Sequence, residues 1–353
     1  MTSGAFVLSF HADYRCRSSG ACCTSGWDIP VEPDVEAGLR TALGTRSLPM
    51  AGAPLHVAHG RTLLAYDATG RCAFHEPASR TCAIHRRVGH DALPVSCRQF
   101  PRVCLLTPRG IEITLSHYCP TAADLLFAEE GPARVVRNPA GFPGSAHYEG
   151  LDARHAPPPL LRPGIWLGWD GYERWQRHVL EVLGASGPPE EALGLLSAQA
   201  EHARSWTVDR GPFPDFLEAV LAAPARVDVH QATADELYAE VMSAIPADLR
   251  PSWTPGDRAA SWDGFDAPIR RYLAARAFAS WVAIQGSGLR TMVRALWAAL
   301  AVVRREAGGL SADAGRAVDA VLLKEAFRRA DLRLVHLAAP EVLAAVHARC
   351  ESA

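Results

Sequence analysis

The chain has 353 residues, of which 48% are hydrophobic and 21% are charged, and its formal net charge is −2. This composition is typical of a folded globular protein and excludes a largely disordered chain. The near balance of charges disfavours duplex DNA or an anionic membrane surface as the main partner, because both are bound through basic surfaces. We therefore expect no nucleic-acid partner and no membrane partner, and the length predicts two domains.

The expected cellular compartment follows from two hydropathy patterns. The N-terminal segment has no positively charged stretch ahead of a long apolar run, so it does not predict a secretory signal. The most apolar later segment, residues 277–301, is interrupted by Gln285, Arg290 and Arg294, which disfavours a membrane span. We therefore expect a cytoplasmic protein, where clustered cysteines favour a metal or catalysis over disulfides.

The elements predicted in the first half are short. Apolar spacing predicts a helix over residues 34–43. A hairpin is predicted next, with strands over 103–106 and 111–117 joined by Thr107-Pro108-Arg109-Gly110, in which Pro and Gly occupy turn positions. Another helix is predicted over residues 121–129.

The second half is predicted to hold five to eight helices. Apolar residues recur there at helical intervals, as in Trp175, Val179 and Leu183. Thr233 followed by Glu236 is a capping box that begins one of these helices.

The predicted fold class is mainly α. Residues 1–130 are expected to form an irregular, cysteine-rich metal-binding domain with a small β-hairpin. Residues 131–164, rich in Pro and Gly, predict a linker without regular structure. Residues 165–353 are expected to form an all-α helical domain.

Eight of the nine cysteines lie in the first 119 residues: Cys16, Cys22, Cys23, Cys72, Cys82, Cys97, Cys104 and Cys119. Thiolates bind zinc and iron–sulfur clusters because these groups are soft enough to favour sulfur. One site needs four converging ligands. Eight thiols therefore indicate two sites, or one site with additional buried structural cysteines.

Two other residue types accompany the cysteines. His75 and His85 follow Cys72 and Cys82 at the same spacing, so imidazole could complete a mixed site, although we favour surface or hydrogen-bonded histidines. Arginine is abundant throughout the chain, and only Arg98 is singled out among those near the cysteines. Its guanidinium would offset thiolate charge and bind a carboxylate in bidentate fashion.

Several runs of residues carry a family resemblance. They are Cys16 followed by Cys22-Cys23-Thr24-Ser25-Gly26-Trp27-Asp28-Ile29-Pro30, then Cys72-Ala73-Phe74, Cys82-Ala83-Ile84-His85 and Leu93-Pro94-Val95-Ser96-Cys97-Arg98-Gln99-Phe100-Pro101-Arg102. Together they resemble the zinc- or iron-chelating cysteine-cluster family. The fuller forms of these runs, with Leu115-Ser116-His117-Tyr118-Cys119-Pro120, resemble its flagellin lysine-N-methylase branch. The resemblance is strongest over residues 14–124.

The resemblance implies methyl transfer from S-adenosylmethionine to lysine side chains of a protein substrate by an enzyme with an iron–sulfur cluster, 4Fe-4S in particular. The protein substrate would be flagellin or another lysine-bearing protein. The metal ligands that carry over by position are Cys16, Cys22, Cys23, Cys72, Cys82, Cys97 and Cys119. Cys104 and Cys350 do not match the motif.

The residues themselves contain no glycine-rich turn of the G-x-G-x-x-G kind and no CxxxCxxC loop. A cluster held by three cysteines would leave one iron open to the amino and carboxylate groups of S-adenosylmethionine. We therefore assign Arg98 as a cofactor-binding residue near that carboxylate. The pattern identifies no catalytic base.

Two other functions remain open. In the first, the cysteines fold the N-terminal region around zinc or iron without catalysis, and the helical domain is an interaction surface. In the second, the protein is an electron carrier with an iron–sulfur cluster near solvent.

Overall fold

The computed structural model describes residues 4–25, 27–48, 52–58, 60–128, 131–144, 148–223, 232–250, 262 and 264–352. The protein is mainly α-helical, with about 53% of the chain in helices, which confirms the predicted class. The strands are β1 (Gly4–Leu8), β2 (Leu55–Ala58), β3 (Arg61–Leu64), β4 (His75–Glu76), β5 (Thr81–Cys82), β6 (Arg102–Thr107), β7 (Gly110–Leu115), β8 (Val135–Arg137), β9 (Leu151–Asp152), β10 (Leu160–Arg162) and β11 (Ile165–Trp166).

Four helices lie in the first half, and the described part of the second half holds nine, one more than the upper limit expected. The helices are α1 (Pro33–Gly44), α2 (Ala83–Arg87), α3 (Val95–Gln99), α4 (Pro120–Leu125), α5 (Gly168–Gly184), α6 (Pro189–Arg204), α7 (Phe213–Ala222), α8 (Ala234–Ser243), α9 (Asp266–Ala277), α10 (Trp281–Gln285), α11 (Leu289–Ala314), α12 (Ala320–Asp331) and α13 (Pro340–Ala348). A π-helical segment, Leu332–Leu337, continues α12.

The predicted hairpin forms the centre of a five-stranded sheet in the order β8-β1-β7-β6-β9. Strands β6 and β7 pair antiparallel, and β1 runs parallel to β7. In the turn, the Thr107 hydroxyl donates to the Gly110 carbonyl at 3.0 Å. Gly110 has a φ of +146°, and a Cβ there would lie 2.5 Å from the Gly4 carbonyl oxygen, so only glycine fits at this position.

Residues 131–164, which were predicted to be a linker without regular structure, contain strands. They include β8, which pairs antiparallel with β1, and β9, which pairs parallel with β6. The two strands lie at opposite edges of the central sheet, where they form hydrogen bonds with backbone groups of β1 and β6 that would otherwise be unpaired. Their pairing depends on residues distant in sequence, so the local Pro and Gly content did not reveal it.

Three predicted helices have clear counterparts. The helix expected over 34–43 is α1, and the helix expected over 121–129 is the shorter α4, whose predicted last residue, Glu129, lies outside the described residues. The capping box is confirmed, because the Thr233 hydroxyl accepts from the Glu236 backbone N–H at 3.2 Å at the start of α8. Among the described residues, no helix is long and apolar enough to cross a membrane.

The helical part packs directly on the sheet. The Thr114 hydroxyl in β7 donates to the Ala275 carbonyl of α9 at 3.0 Å, and the Trp281 indole of α10 donates to the Cys104 carbonyl of β6 at 2.9 Å. A second, smaller hydrophobic core lies in the cysteine region between α1, β3 and α2. The functional candidates lie around this smaller core and along its contact with the helices.

Candidate functional site

Five cysteines converge in the small core of the N-terminal region: Cys22, Cys23, Cys72, Cys82 and Cys97. Cys22 and Cys23 lie on one turn of 3-10 helix, with their sulfur atoms 3.9 Å apart. The Cys72 backbone N–H donates to the Cys23 carbonyl at 2.7 Å, which joins the loop before β4 to this turn. Cys82 ends β5, and Cys97 lies within α3. We call this group the thiol cluster.

The thiols of the cluster differ in their affinity for a proton. The Cys23 thiol forms hydrogen bonds with the sulfur atoms of Cys22 and Cys82. These bonds lower the pKa of Cys22 and that of Cys82, the latter to about 7. The same bonds raise the pKa of Cys23. Burial raises the pKa of Cys72 to about 12 and holds that of Cys97 well above its ordinary value. Cys22 and Cys82 are therefore the thiolates nearest to formation at neutral pH.

The donor chemistry of the cluster fits a thiophilic metal. Two thiolates on one tetrahedral zinc ion, with Zn–S bonds of about 2.3 Å, lie about 3.8 Å apart, close to the 3.9 Å between the Cys22 and Cys23 sulfur atoms. Over the described ranges, however, no three His, Cys, Asp or Glu side chains are arranged around a common point as metal ligands. The fold gathers suitable donors without forming a complete coordination sphere.

The other predicted ligands, Cys16 and Cys119, are not part of the thiol cluster. The Cys119 sulfur lies 3.7 Å from the Tyr14 hydroxyl, and the charge of Cys16 acts on both Tyr14 and Cys119. Cys119 is buried at the start of α4, whereas Cys16 is exposed. The seven predicted ligands are thus divided into a group of five and a group of two.

The remaining predicted residues lie around the thiol cluster. His75 in β4 pairs with Cys82 in β5 by strand register, and His85 contacts the His90 ring edge-on at 5.8 Å. Arg98 is partly exposed and donates to the Asp91 carbonyl at 3.4 Å. Its assignment to a cofactor carboxylate stays a prediction.

A cavity of about 420 Å³ opens beside the thiol cluster, between the cysteine region and the helical part. Ser96 and Gln99, which flank Cys97, line one side, and Arg276 and Trp281 line the other. Cys104 of β6 also lines this cavity, although it does not belong to the cluster. Aromatic and aliphatic side chains line it together with a few charged groups, which include Asp28, Glu149 and Arg276, and such a mixture is typical of small-molecule sites.

His336 joins the two sides of this cavity. Its ring stacks on Trp27 with centroids 4.1 Å apart, and its Nε2 lies 2.7 Å from the Ser116 hydroxyl. Burial lowers the pKa of His336 to about 4. The imidazole is therefore neutral at pH 7 and has a nitrogen able to accept a proton or a hydrogen bond.

A buried polar network lies behind His336 and links both parts of the chain. The Asp331 carboxylate accepts from the His117 backbone N–H at 2.6 Å and lies 3.0 Å from His117 Nδ1. It also accepts from the Tyr272 hydroxyl at 2.8 Å, while His117 Nε2 lies 3.2 Å from His11 Nε2. Burial opposes charge on Asp331, but the bonds from His117 outweigh it and hold the Asp331 pKa at about 2.

Sequence reasoning did not identify Asp331, Tyr272 or His336 as site residues. Their hydrogen-bond partners are 59 to 220 positions away along the chain, so no local motif signals them.

No protein-family model, curated protein or solved structure matches this chain. The family resemblance therefore depends on the quoted motifs alone.

Proposed function

We propose that this protein binds an iron–sulfur cluster or zinc through its N-terminal cysteines and transfers a methyl group from S-adenosylmethionine to a lysine of a protein substrate. The observation that carries this proposal is the position of the thiol cluster beside a cavity of about 420 Å³. Cavities of about 300–1,000 Å³ hold organic ligands of cofactor size. The activity itself comes from the motif resemblance.

A zinc ion would be held by four residues among Cys22, Cys23, Cys72, Cys82 and Cys97. If three of them held an iron–sulfur cluster, the bound cluster would offer one open coordination position to S-adenosylmethionine. Cys16 and Cys119 would be ligands of a second site. Metal binding would displace the proton that Cys23 retains, so its affinity would rise with pH.

The cavity residues would act on the lysine. In the transfer, the amine nitrogen forms a bond to the methyl carbon while the carbon–sulfur bond breaks and its electron pair returns to sulfur. The Arg276 guanidinium disfavours an ammonium ion beside it, whereas Asp28 and Glu149 on the same wall favour one, so the free amine would form on the Arg276 side of the cavity. The neutral His336 imidazole would accept a hydrogen bond from that amine and orient its lone pair.

A second candidate function is supported by the Cys22–Cys23 spacing of 3.9 Å, which suits two sulfurs on a single ion. In that case the N-terminal region is a zinc- or iron-binding module without catalysis. The helical part would then serve as an interaction surface.

Metal analysis of protein purified without oxygen distinguishes these candidates. The enzyme predicts a brown protein with near-equal iron and acid-labile sulfide, which binds S-adenosylmethionine in calorimetry and transfers its labelled methyl group to flagellin or another lysine-rich protein. A colourless protein with stoichiometric zinc and no S-adenosylmethionine binding would establish the module instead.

Arg98→Ala tests the assignment of the cofactor carboxylate. We expect S-adenosylmethionine affinity to fall about tenfold in a fully metallated variant, because one charge-assisted hydrogen bond is lost. Arg87→Ala is the matched control, since Arg87 pairs with Glu76 on a neighbouring surface. Equal affinity in both variants would remove Arg98 from the site.

A further inference from the structure

A second cleft, of about 400 Å³, lies beside the turn that carries Cys22 and Cys23. Its walls come from residues 19–21, from Thr24, from the β4–β5 hairpin with Arg71 before it, and from Arg328 in α12. It shares no lining residue with the cavity described above. The cleft is therefore a separate place where a ligand could bind beside the turn that carries Cys22 and Cys23.

The charge of this cleft is one-sided. Three arginines, Arg71, Arg80 and Arg328, line it together with His75, and its lining residues include no Asp or Glu. Arg328 already pairs with Glu325. Within the described part of the chain, Arg71 and Arg80 have no ion-pair partner, so two guanidinium groups remain available to an anion.

Asp67, an acidic residue whose charge acts on His75, does not cancel this charge. The Asp67 carboxylate accepts from the Thr69 hydroxyl at 2.6 Å and from the backbone N–H groups of Thr69 and Arg71 at 2.8 and 3.1 Å. These bonds hold it in the turn before Cys72, and it does not line the cleft.

The charges of the two arginines meet at His75. Both Arg71 and Arg80 act electrostatically on the His75 ring, which places their positive potential in one region. Gly20 packs closely on that ring, since a Cβ there would lie 2.9 Å from His75 Nε2. The other ring nitrogen, Nδ1, is buried and has no hydrogen-bond partner among the described residues. Because Nδ1 is enclosed, a ligand in the cleft would contact His75 through Nε2.

We propose that this cleft binds a small organic oxyanion, a phosphate or a carboxylate, through Arg71 and Arg80 with His75 as an additional hydrogen-bonding group. Guanidinium groups match the planar geometry of both anions and bind them in bidentate fashion. The volume exceeds that of a lone phosphate and suits a small molecule bearing one. The site does not depend on the proposed methyl transfer, although its loop carries two cysteines of the thiol cluster.

Isothermal titration of the full chain tests this site, with pyrophosphate as the phosphate probe, citrate as the carboxylate probe and sodium chloride at matched ionic strength as the blank. We expect saturable binding of at least one probe, and the stronger of the two identifies the anion class. The absence of saturable binding by both probes would overturn the proposal.

The double variant R71Q/R80Q is expected to weaken binding by about a hundredfold, because two charge-assisted contacts are lost. The matched control is R46Q/R61Q, which removes the same charge from two exposed arginines elsewhere. The match extends to the backbone, since Arg46 and Arg80 both have positive φ, at 59° and 55°. Equal weakening in both double variants would indicate general electrostatic attraction and would also overturn the site.

His75→Gln provides an independent check that keeps the net charge at pH 8. A several-fold loss of affinity with an unchanged melting temperature supports the role of the ring. If affinity stays the same, His75 is not part of the binding group.

Discussion

The two principal hydrophobic cores of this protein are built in different ways. The larger core runs through the helical part, where α11 alone buries Leu296, Leu300 and Val303. The smaller core lies in the cysteine region, and Cys23 and Cys72 are among its buried side chains. Its regular elements include two-residue strands and a five-residue helix. Elements of that length bury little apolar surface, and the free energy gained does not offset the entropy lost when the chain becomes ordered. We therefore expect the smaller core to depend on its thiols and their ligand.

Loss of one thiol should produce the largest difference between the cores. Cys97→Ser is expected to abolish most of the bound metal and to unfold the cysteine region while the helical signal in circular dichroism largely remains, because metal-binding energy at such sites is folding energy. Metal analysis and limited proteolysis measure the two effects. Cys350→Ser, a control outside the thiol cluster, should change neither. Full metal content and an unchanged melting point in Cys97→Ser would show that Cys97 is not a ligand.

The contact between the two parts is tested by Asp331→Asn. This change leaves His117 and Tyr272 around a neutral amide in a buried site, and we expect a loss of about 3 kcal/mol in the free energy of unfolding. Denaturant titration followed by both tryptophan fluorescence and circular dichroism measures it. Asp235→Asn is the control, because the Asp235 carboxylate that pairs with Arg305 is exposed, and the pair should contribute less than about 1 kcal/mol. Equal losses in the two variants would contradict the role of the network.

Mild acid should weaken the contact between the cysteine region and the helical part, because His336 becomes protonated. Its pKa is about 4 in the folded protein, against about 6.5 in the unfolded chain, so the unfolded state takes up the proton first. Stability is therefore expected to fall by about 2.5 kcal/mol as the pH drops from about 6.5 to about 4. Urea midpoints at a series of pH values measure the slope. His336→Gln should flatten it, and an unchanged slope in that variant would exclude His336 as its source.

The smallest expected effect concerns the helical part alone. Thr233→Ala removes the side-chain cap of α8 and should cost about 1 kcal/mol, with metal content unchanged. Ser243→Ala, at the other end of the same helix, is the control and should shift stability by less than about 0.5 kcal/mol. A fall in metal content in Thr233→Ala would mean that the two cores are coupled more tightly than their separate packing indicates.

The elements that were predicted correctly share a local cause. Helix α1, the β6–β7 hairpin and the capping box at Thr233 each follow from residues within a few positions of one another. The edge strands β8 and β9 were missed because their pairing partners lie far away in sequence. A Pro- and Gly-rich composition lowers strand propensity, yet unpaired sheet edges can still recruit such a segment.

The candidate site shows the same division. The cysteine spacing alone indicated a set of thiol donors, and five of the seven predicted ligands do converge. Their separation from Cys16 and Cys119 required the fold, since loop paths are not encoded in spacing. His336 and Asp331 entered the site only through the packing of the helices on the cysteine region.

By itself, the sequence determined the helical character of the second half, the hairpin and the supply of thiols, because these depend on short-range periodicity, turn chemistry and residue type. The tertiary structure alone decided which thiols meet, where the two clefts open and how the buried Asp331 network joins the two parts. These features arise from contacts between residues as distant in sequence as Trp27 and His336. Their energy comes from burial and from hydrogen bonds that exist only after the chain has folded.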